Sequence, residues 1–546
     1  MKTHNILLGR YSALEECVPD MWVFALTGMV AFAEIHPSVD VLTQHNDKYR
    51  TGWNSSETFL NPDSVASGRF HLQRSFPVDG QVYAQPLVVA NYTPLLQSGG
   101  RSIVRDLLIV GTAHNTLYCF DTAKSSSQPV WTAKLGKSVP NQNVQCDDMR
   151  PEIGIVSTPV IDRDARTVYV VNKCRVPVTS GAHRQVVRLH ALDLDTGNEM
   201  AGSPVDLAGS VAGTAPDAVN GQVPFDPSKQ MNRPGLLLDR GVLYIACGGH
   251  CDNGPFHGWI FAYHARKLAK LGLYCTTPDG DVNAGIPSGA GGIWMAGNGL
   301  ACDDDGSIYF STGNGAYSLD SSGRQTGNSL AKVRLGENGF QLQTFFTPHD
   351  TQAMNERDRD LGSAGVLVVP SSTLLVGGGK DKDLYVADRS NFGGFSPSAD
   401  AILQRWPGTN DGLWTAPIYW NSGLLGPQVF FGGKEDYVKS FSVAAGLLTM
   451  TPTTQSQVKG KWPGSAMSGS SDGDKEGIVW TLSQAQGKGI LRAYEANNLA
   501  NLLWHSDIVA SDAVGVYAKF CPPTVANGKV FVPTFSNKVN VYGLNP

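Results

Sequence analysis

Charge is scarce in this 546-residue chain: only 17% of residues are Asp, Glu, Lys or Arg, against a norm of about 25%. A basic excess is also missing. The formal net charge is −5, which excludes the positive field that a nucleic-acid partner requires. The one candidate membrane segment, Met21 to Ala33, has 13 residues, short of the ~20 that a helical span needs. No stable membrane span is expected. Neither C-x-x-C nor C-x-x-C-H occurs, so a zinc ribbon and a covalently attached haem are not expected. No P-loop, Rossmann fingerprint or G-x-S-x-G elbow is present in its structural context, which disfavours nucleotide-dependent chemistry and the usual serine-hydrolase architecture.

What is there suits a sheet protein. With 41% hydrophobic and 9% aromatic residues the chain can bury a large core, so disorder is excluded as its main state. Gly 61 and Pro 31 make up about one residue in six, a composition that supplies many tight turns. Met21 to Ala33 ends in Ala31-Phe32-Ala33, the small-x-small pattern of a signal-peptidase site. Residues 1–33 read as a secretory leader, the alternative being a buried apolar segment. Asn54-Ser55-Ser56 and Asn91-Tyr92-Thr93 are sequons for N-glycosylation. Nine cysteines, eight without Cys17, allow disulfides in an oxidising compartment, with the pairing left open. The expected location is extracellular or the lumen of the secretory pathway.

The dominant feature is an internal repeat. A short apolar strand recurs as Leu117–Asp121, Leu189–Asp193, Ile260–His264, Leu330–Arg334, Leu384–Asp388, Val438–Ser442, Leu491–Glu495 and Val539–Gly543. Its starts are separated by 72, 71, 70, 54, 54, 53 and 48 residues. A second strand precedes most copies, an inner strand marked by proline comes before that, and an outer strand follows. Four strands per unit around an axis describe a β-propeller. The expected fold is therefore all-β: one eight-bladed propeller over residues 69–546, preceded by an N-terminal extension at 34–68. A count of seven stays open if two units merge. The last copy has no strand after it, and Phe70–Pro77 is predicted to supply it and close the ring.

These strands resemble the secreted propeller proteins with pyrroloquinoline quinone-like repeats, from about Gln44 to Asn545. The segments His45–Asn54, Val78–Pro86 and Glu152–Pro159 carry the likeness. The chain is more distantly similar to the quinoprotein alcohol dehydrogenases. In that family a quinone lies on the axis, Ca²⁺ polarises it and an aspartate is the base. The resemblance implies Asn314, in Thr312–Gly315, as a metal ligand. It implies Asp360 as the catalytic base with Asp358 second, both in Asp358–Gly362. Lys380, in Gly379–Tyr385, is implied as a quinone contact. Trp294 falls near the cofactor region. The family's metal-binding glutamate has no counterpart in Gly248–Gly254, where Asp252 is the substitute. The family's adjacent cysteine pair is reduced to Cys146.

Chemistry supports these candidates, each beside a plainer role. Asp360 is a general base or a turn cap. Asn314 is a cation ligand or a hairpin-turn residue. Lys380 and Arg233 hold carboxylates of a cofactor or substrate, or pair with channel acids. Trp294 and Trp414 stack on a planar ligand or pack between blades. The leading reading is a propeller binding a small molecule in its axial funnel and oxidising an alcohol or sugar with pyrroloquinoline quinone and calcium. The others are a cofactor-independent enzyme of small-molecule biosynthesis (lyase, isomerase or tailoring enzyme) and a non-catalytic binding or scaffold propeller. Substrate, electron acceptor and oligomeric state stay open.

Overall fold

Each of the eight repeated strands becomes the third strand of its own antiparallel sheet, and the eight sheets form a ring. The structure, a computed structural model, describes residues 38–95, 103–179, 181–280, 289–319 and 324–545. The expected leader lies outside them. Blade 1 runs Leu87–Tyr92, Arg105–Gly111, Thr116–Asp121 and Trp131–Lys134, and the order repeats through the chain. Blade 8 is built from Thr524–Ala526, Lys529–Pro533 and Lys538–Leu544, and Phe70–Pro77 adds as its outer strand. The first and last parts of the chain thus share one sheet, and the ring has no open edge there.

The middle strands are buried more continuously than an alternating pattern implies. All five residues of Ser307–Ser311 and of Leu374–Gly378 are buried. Blades stack face to face, so both faces of a sheet are covered and both need apolar side chains. One interface joins Phe70 of the closing strand to Trp480 and Trp504, with centroids 5.2 and 5.0 Å away. The prolines stand just before the inner strands rather than within them. Pro86, Pro159, Pro417 and Pro523 each immediately precede an inner strand's first residue, where no ladder N–H is needed.

The inner edges of the blades are closed by the N-terminal stretch, which the sequence suggested as an extension. From Ser38 onward it belongs to the same compact unit as the propeller. Val39 N–H donates to Asn527 of blade 8, and Val41 bridges Val88 of blade 1. The carbonyls of Leu42, Lys48, Tyr49, Thr51 and Gly52 accept from Ile161, Cys302, Val368, Tyr419 and Gly469, in blades 2, 4, 5, 6 and 7. Arg50, 0% exposed, donates to the Leu236 carbonyl beside blade 3. These contacts satisfy inner-strand groups that would otherwise face the axis unpaired. Among the described residues no helix is long and apolar enough to cross a membrane.

The sequons differ in access. Asn91 is exposed, whereas Asn54 is 3% exposed and donates its amide to the Val525 carbonyl. Inner-strand pairing therefore withdraws Asn54 from glycosylation in the folded protein.

Candidate functional site

Where the chain enters the inner strands, loops from several blades converge on a cavity of about 220 Å³. A simple register places its walls. Arg233, Trp414, Trp462 and Phe520 each stand four residues before the first residue of an inner strand, those starting at Leu237, Ile418, Ala466 and Thr524. Trp294 and Asp360 stand seven before theirs, at Ala301 and Leu367. Propeller symmetry turns equivalent loop positions into neighbours around the axis.

Seven of the eight candidates line this cavity: Asp360, Lys380, Asn314, Asp252, Trp294, Arg233 and Trp414. Asp358 stands at its rim, 66% exposed, and joins through Lys380. Lys380 Nζ lies 2.6 Å from Asp360 Oδ2 and 2.8 Å from Asp358 Oδ1. Asp360 Oδ1 accepts from the Asn314 backbone N–H at 2.6 Å. The Asn314 amide N–H₂ donates to Asp358 at 2.9 Å, and its oxygen accepts from Asn328 at 3.0 Å. Asn328, 0% exposed, also donates to Asn355 and accepts from Leu361 N–H, so one buried amide sets the loops that carry Asn314 and Asp360. Gly313 permits this approach: a Cβ there would meet Asp360 Oδ1 at 2.6 Å and Trp294 Nε1 at 3.2 Å.

The charges are uneven. Burial opposes the Lys380 charge, but Asp360 and Asp358 outweigh it and hold the ammonium above the ordinary lysine range. Asp252 projects at the mouth from Gly248–Gly254. The low-dielectric wall, then the charges of Asp360 and Asp358, push its carboxyl up to about 6. Trp294 lies 5.8 Å from Lys380 Nζ and edge-on to Phe520 at 6.3 Å. Lys434 Nζ stands over the Trp414 ring, 5.4 Å from its centroid.

A disulfide forms one wall. Cys146 pairs with Cys251 across 105 residues, and Asn253 Nδ2 donates to the Val144 and Gln145 carbonyls beside it. Cys119, Cys174, Cys247, Cys275, Cys302 and Cys521 are buried free thiols. Beneath the wall, Lys173 Nζ donates to the Pro227 and Gln230 carbonyls and contacts His250 at 2.7 Å.

The oxygens of Asp360, Asp358 and Asn314 are the hard donors a calcium ion takes, but they are already committed. The Lys380 ammonium sits between the carboxylates, and the Asn314 oxygen faces a donor. Among the described residues no group of three or more His, Cys, Asp or Glu could hold a metal. Lys380 already occupies the place between the two carboxylates, and the arrangement does not fit calcium. Phe520 packs edge-on against both Trp294 and Trp462, with centroids 6.3 and 6.1 Å away, so these rings form one aromatic wall of the cavity.

Phe520, Trp462, Asn328, Cys251 and the Asp148–Lys519 ion pair escaped the sequence reading. For Phe520 and Trp462 a signal existed in their spacing to the inner strands, shared with Arg233 and Trp414. Asn328, Cys251 and Lys519 act through contacts that no local pattern encodes.

No family profile and no curated protein matches the chain. Solved structures do. The quinohemoprotein alcohol dehydrogenase from Comamonas testosteroni aligns with TM-score 0.58 at 14% identity, over 92% of this chain and 80% of that one. The quinohemoprotein alcohol dehydrogenase ADHIIG from Pseudomonas putida HK5 aligns with TM-score 0.55 at 14% identity, over the same shares. At this identity the likeness shows the fold, a propeller like that of the quinoproteins; the repeats had predicted the propeller and the family resemblance the quinoprotein likeness.

Proposed function

We propose that this protein is a quinoprotein-like oxidoreductase that binds a small planar molecule in the axial cavity and uses Asp360 as general base toward the hydroxyl of an alcohol or sugar. The observation that carries the reading is the convergence of Asp360, Lys380, Asn314 and Trp294 on one cavity from separate loops. Asp360, 7% exposed, has one oxygen held by the Asn314 N–H and the other by Lys380. Fixed at both oxygens, the carboxylate can receive a hydroxyl proton without reorienting. Lys380 balances the charge on Asp360 before transfer. The ring walls exclude water from the plane of the ligand. A bound quinone would serve as the two-electron acceptor, held by Trp294, Trp414 and Lys380. Calcium has no part in this proposal. Export belongs to the same reading and is supported by the Cys146–Cys251 disulfide.

The test is titration of the purified protein with pyrroloquinoline quinone, followed by dye reduction with alcohols and sugars. Asp360→Asn should lower turnover about 10²- to 10⁴-fold with ligand binding retained; unchanged turnover removes Asp360 as the base. A second reading, a cofactor-independent acid–base enzyme, is favoured by the lysine that stands among the acids. Turnover of a hydroxylated substrate without added or extractable quinone would select it.

A further inference from the structure

Arg233 is a buried cation that the proposed reaction does not use. It is 3% exposed, yet no carboxylate pairs with it among the described residues. Its Nη1 reaches only the Met149 sulfur, at 3.5 Å, and its Nε has no acceptor. The guanidinium stands 5.2 Å from the Tyr83 ring and 5.1 Å from the Phe520 ring. Asp148, the acid nearby, is engaged by Lys519. Burial lowers the affinity of Arg233 for its proton, but a guanidinium stays charged in a protein. A buried charge without a counter-ion is costly, and this one faces a ligand-sized space.

The far side of the cavity has the opposite sign. There Asp358, Asp360 and Asp252 outnumber Lys380, and the rings of Trp294 and Phe520 stand between this acidic group and Arg233. The cavity thus offers one cationic end, one acidic end that accepts hydrogen bonds, and an aromatic span between them. We infer that the molecule acted upon is a hydroxy acid built on a flat ring, with its carboxylate on Arg233, its ring against Phe520, and its hydroxyl at Asp360. Only the placement of the hydroxyl rests on the proposed role of Asp360; the carboxylate subsite stands on Arg233 alone.

Calorimetric titration with 4-(hydroxymethyl)benzoate, its methyl ester and pyrroloquinoline quinone tests this. The acid should bind the native protein at least roughly ten-fold more tightly than the ester. Arg233→Met should weaken the acid by about ten- to hundred-fold and leave the ester unchanged, the usual range for losing a charged hydrogen bond. Arg233→Lys should recover part of the loss. Equal affinity for acid and ester, or an Arg233→Met protein that binds the acid as the native one does, overturns the inference. So does dependence on Arg233 for the quinone but not for the hydroxy acid. Should Arg233→Met fail to fold, the acid–ester comparison on the native protein decides alone. Arg233-dependent binding of the acid, with turnover indifferent to Asp360→Asn, would retain the subsite and remove Asp360 as the base.

Discussion

Replacing Lys380 by methionine isolates the electrostatics of the site. The ammonium stands 2.6 Å from Asp360 and 2.8 Å from Asp358. Without it, Asp360 is a 7%-exposed carboxylate whose remaining donor among the described residues is the Asn314 N–H. Breaking a fully buried ion pair costs about 3–5 kcal/mol. The cavity admits water, which places this pair at the lower end of that range. The Asp358 partner, 66% exposed, adds no more than about 1 kcal/mol. The expected loss is about 3 kcal/mol at pH 7.5. Urea denaturation at pH 7.5, read by tryptophan fluorescence, measures it. Adding Asp360→Asn to Lys380→Met should recover most of the loss, because the charge left unpaired is gone. A loss below about 1 kcal/mol at pH 7.5 would refute a site in which Lys380 holds the acids together.

Three further outcomes are expected. Phe70→Ala on the closing strand should cost about 4 kcal/mol, since the ring is 0% exposed against Trp480, Trp504 and Tyr542; denaturation together with limited proteolysis after Phe70–Pro77 checks it. Asp252→Asn should stabilise at pH 7.5 by up to about 1 kcal/mol after allowance for solvent screening, and not at pH 4. A carboxyl raised to about 6 by burial and by Asp360 and Asp358 binds its proton more tightly folded than unfolded, so the native protein keeps that contribution below the unfolded pKa and loses it as pH rises through about 6. Cys146→Ser with Cys251→Ser should cost about 2–4 kcal/mol for a cross-link spanning 105 residues and weaken ligand binding at that wall, as calorimetry would read.

The sequence by itself determined the propeller. A strand is a local pattern, so Leu384–Asp388 and its seven counterparts announce themselves through side-chain chemistry and spacing, and the unpaired last copy required an outer strand that Phe70–Pro77 provides. It also named eight candidate site residues, because Asn314, Asp360 and Lys380 sit in short segments with recognisable local form. Tertiary structure alone decided their relations: that Lys380 stands between two carboxylates, that Asp148 pairs with Lys519 across 371 residues, and that Arg233 is left buried with no carboxylate partner among the described residues. Ion pairing depends on distance in space and on solvent access, and in a ring the residues that share the axis come from every part of the chain. The N-terminal stretch follows the same logic. Its polar, irregular sequence reads as an extension until the free inner edges of eight blades supply the hydrogen-bond partners it lacks alone.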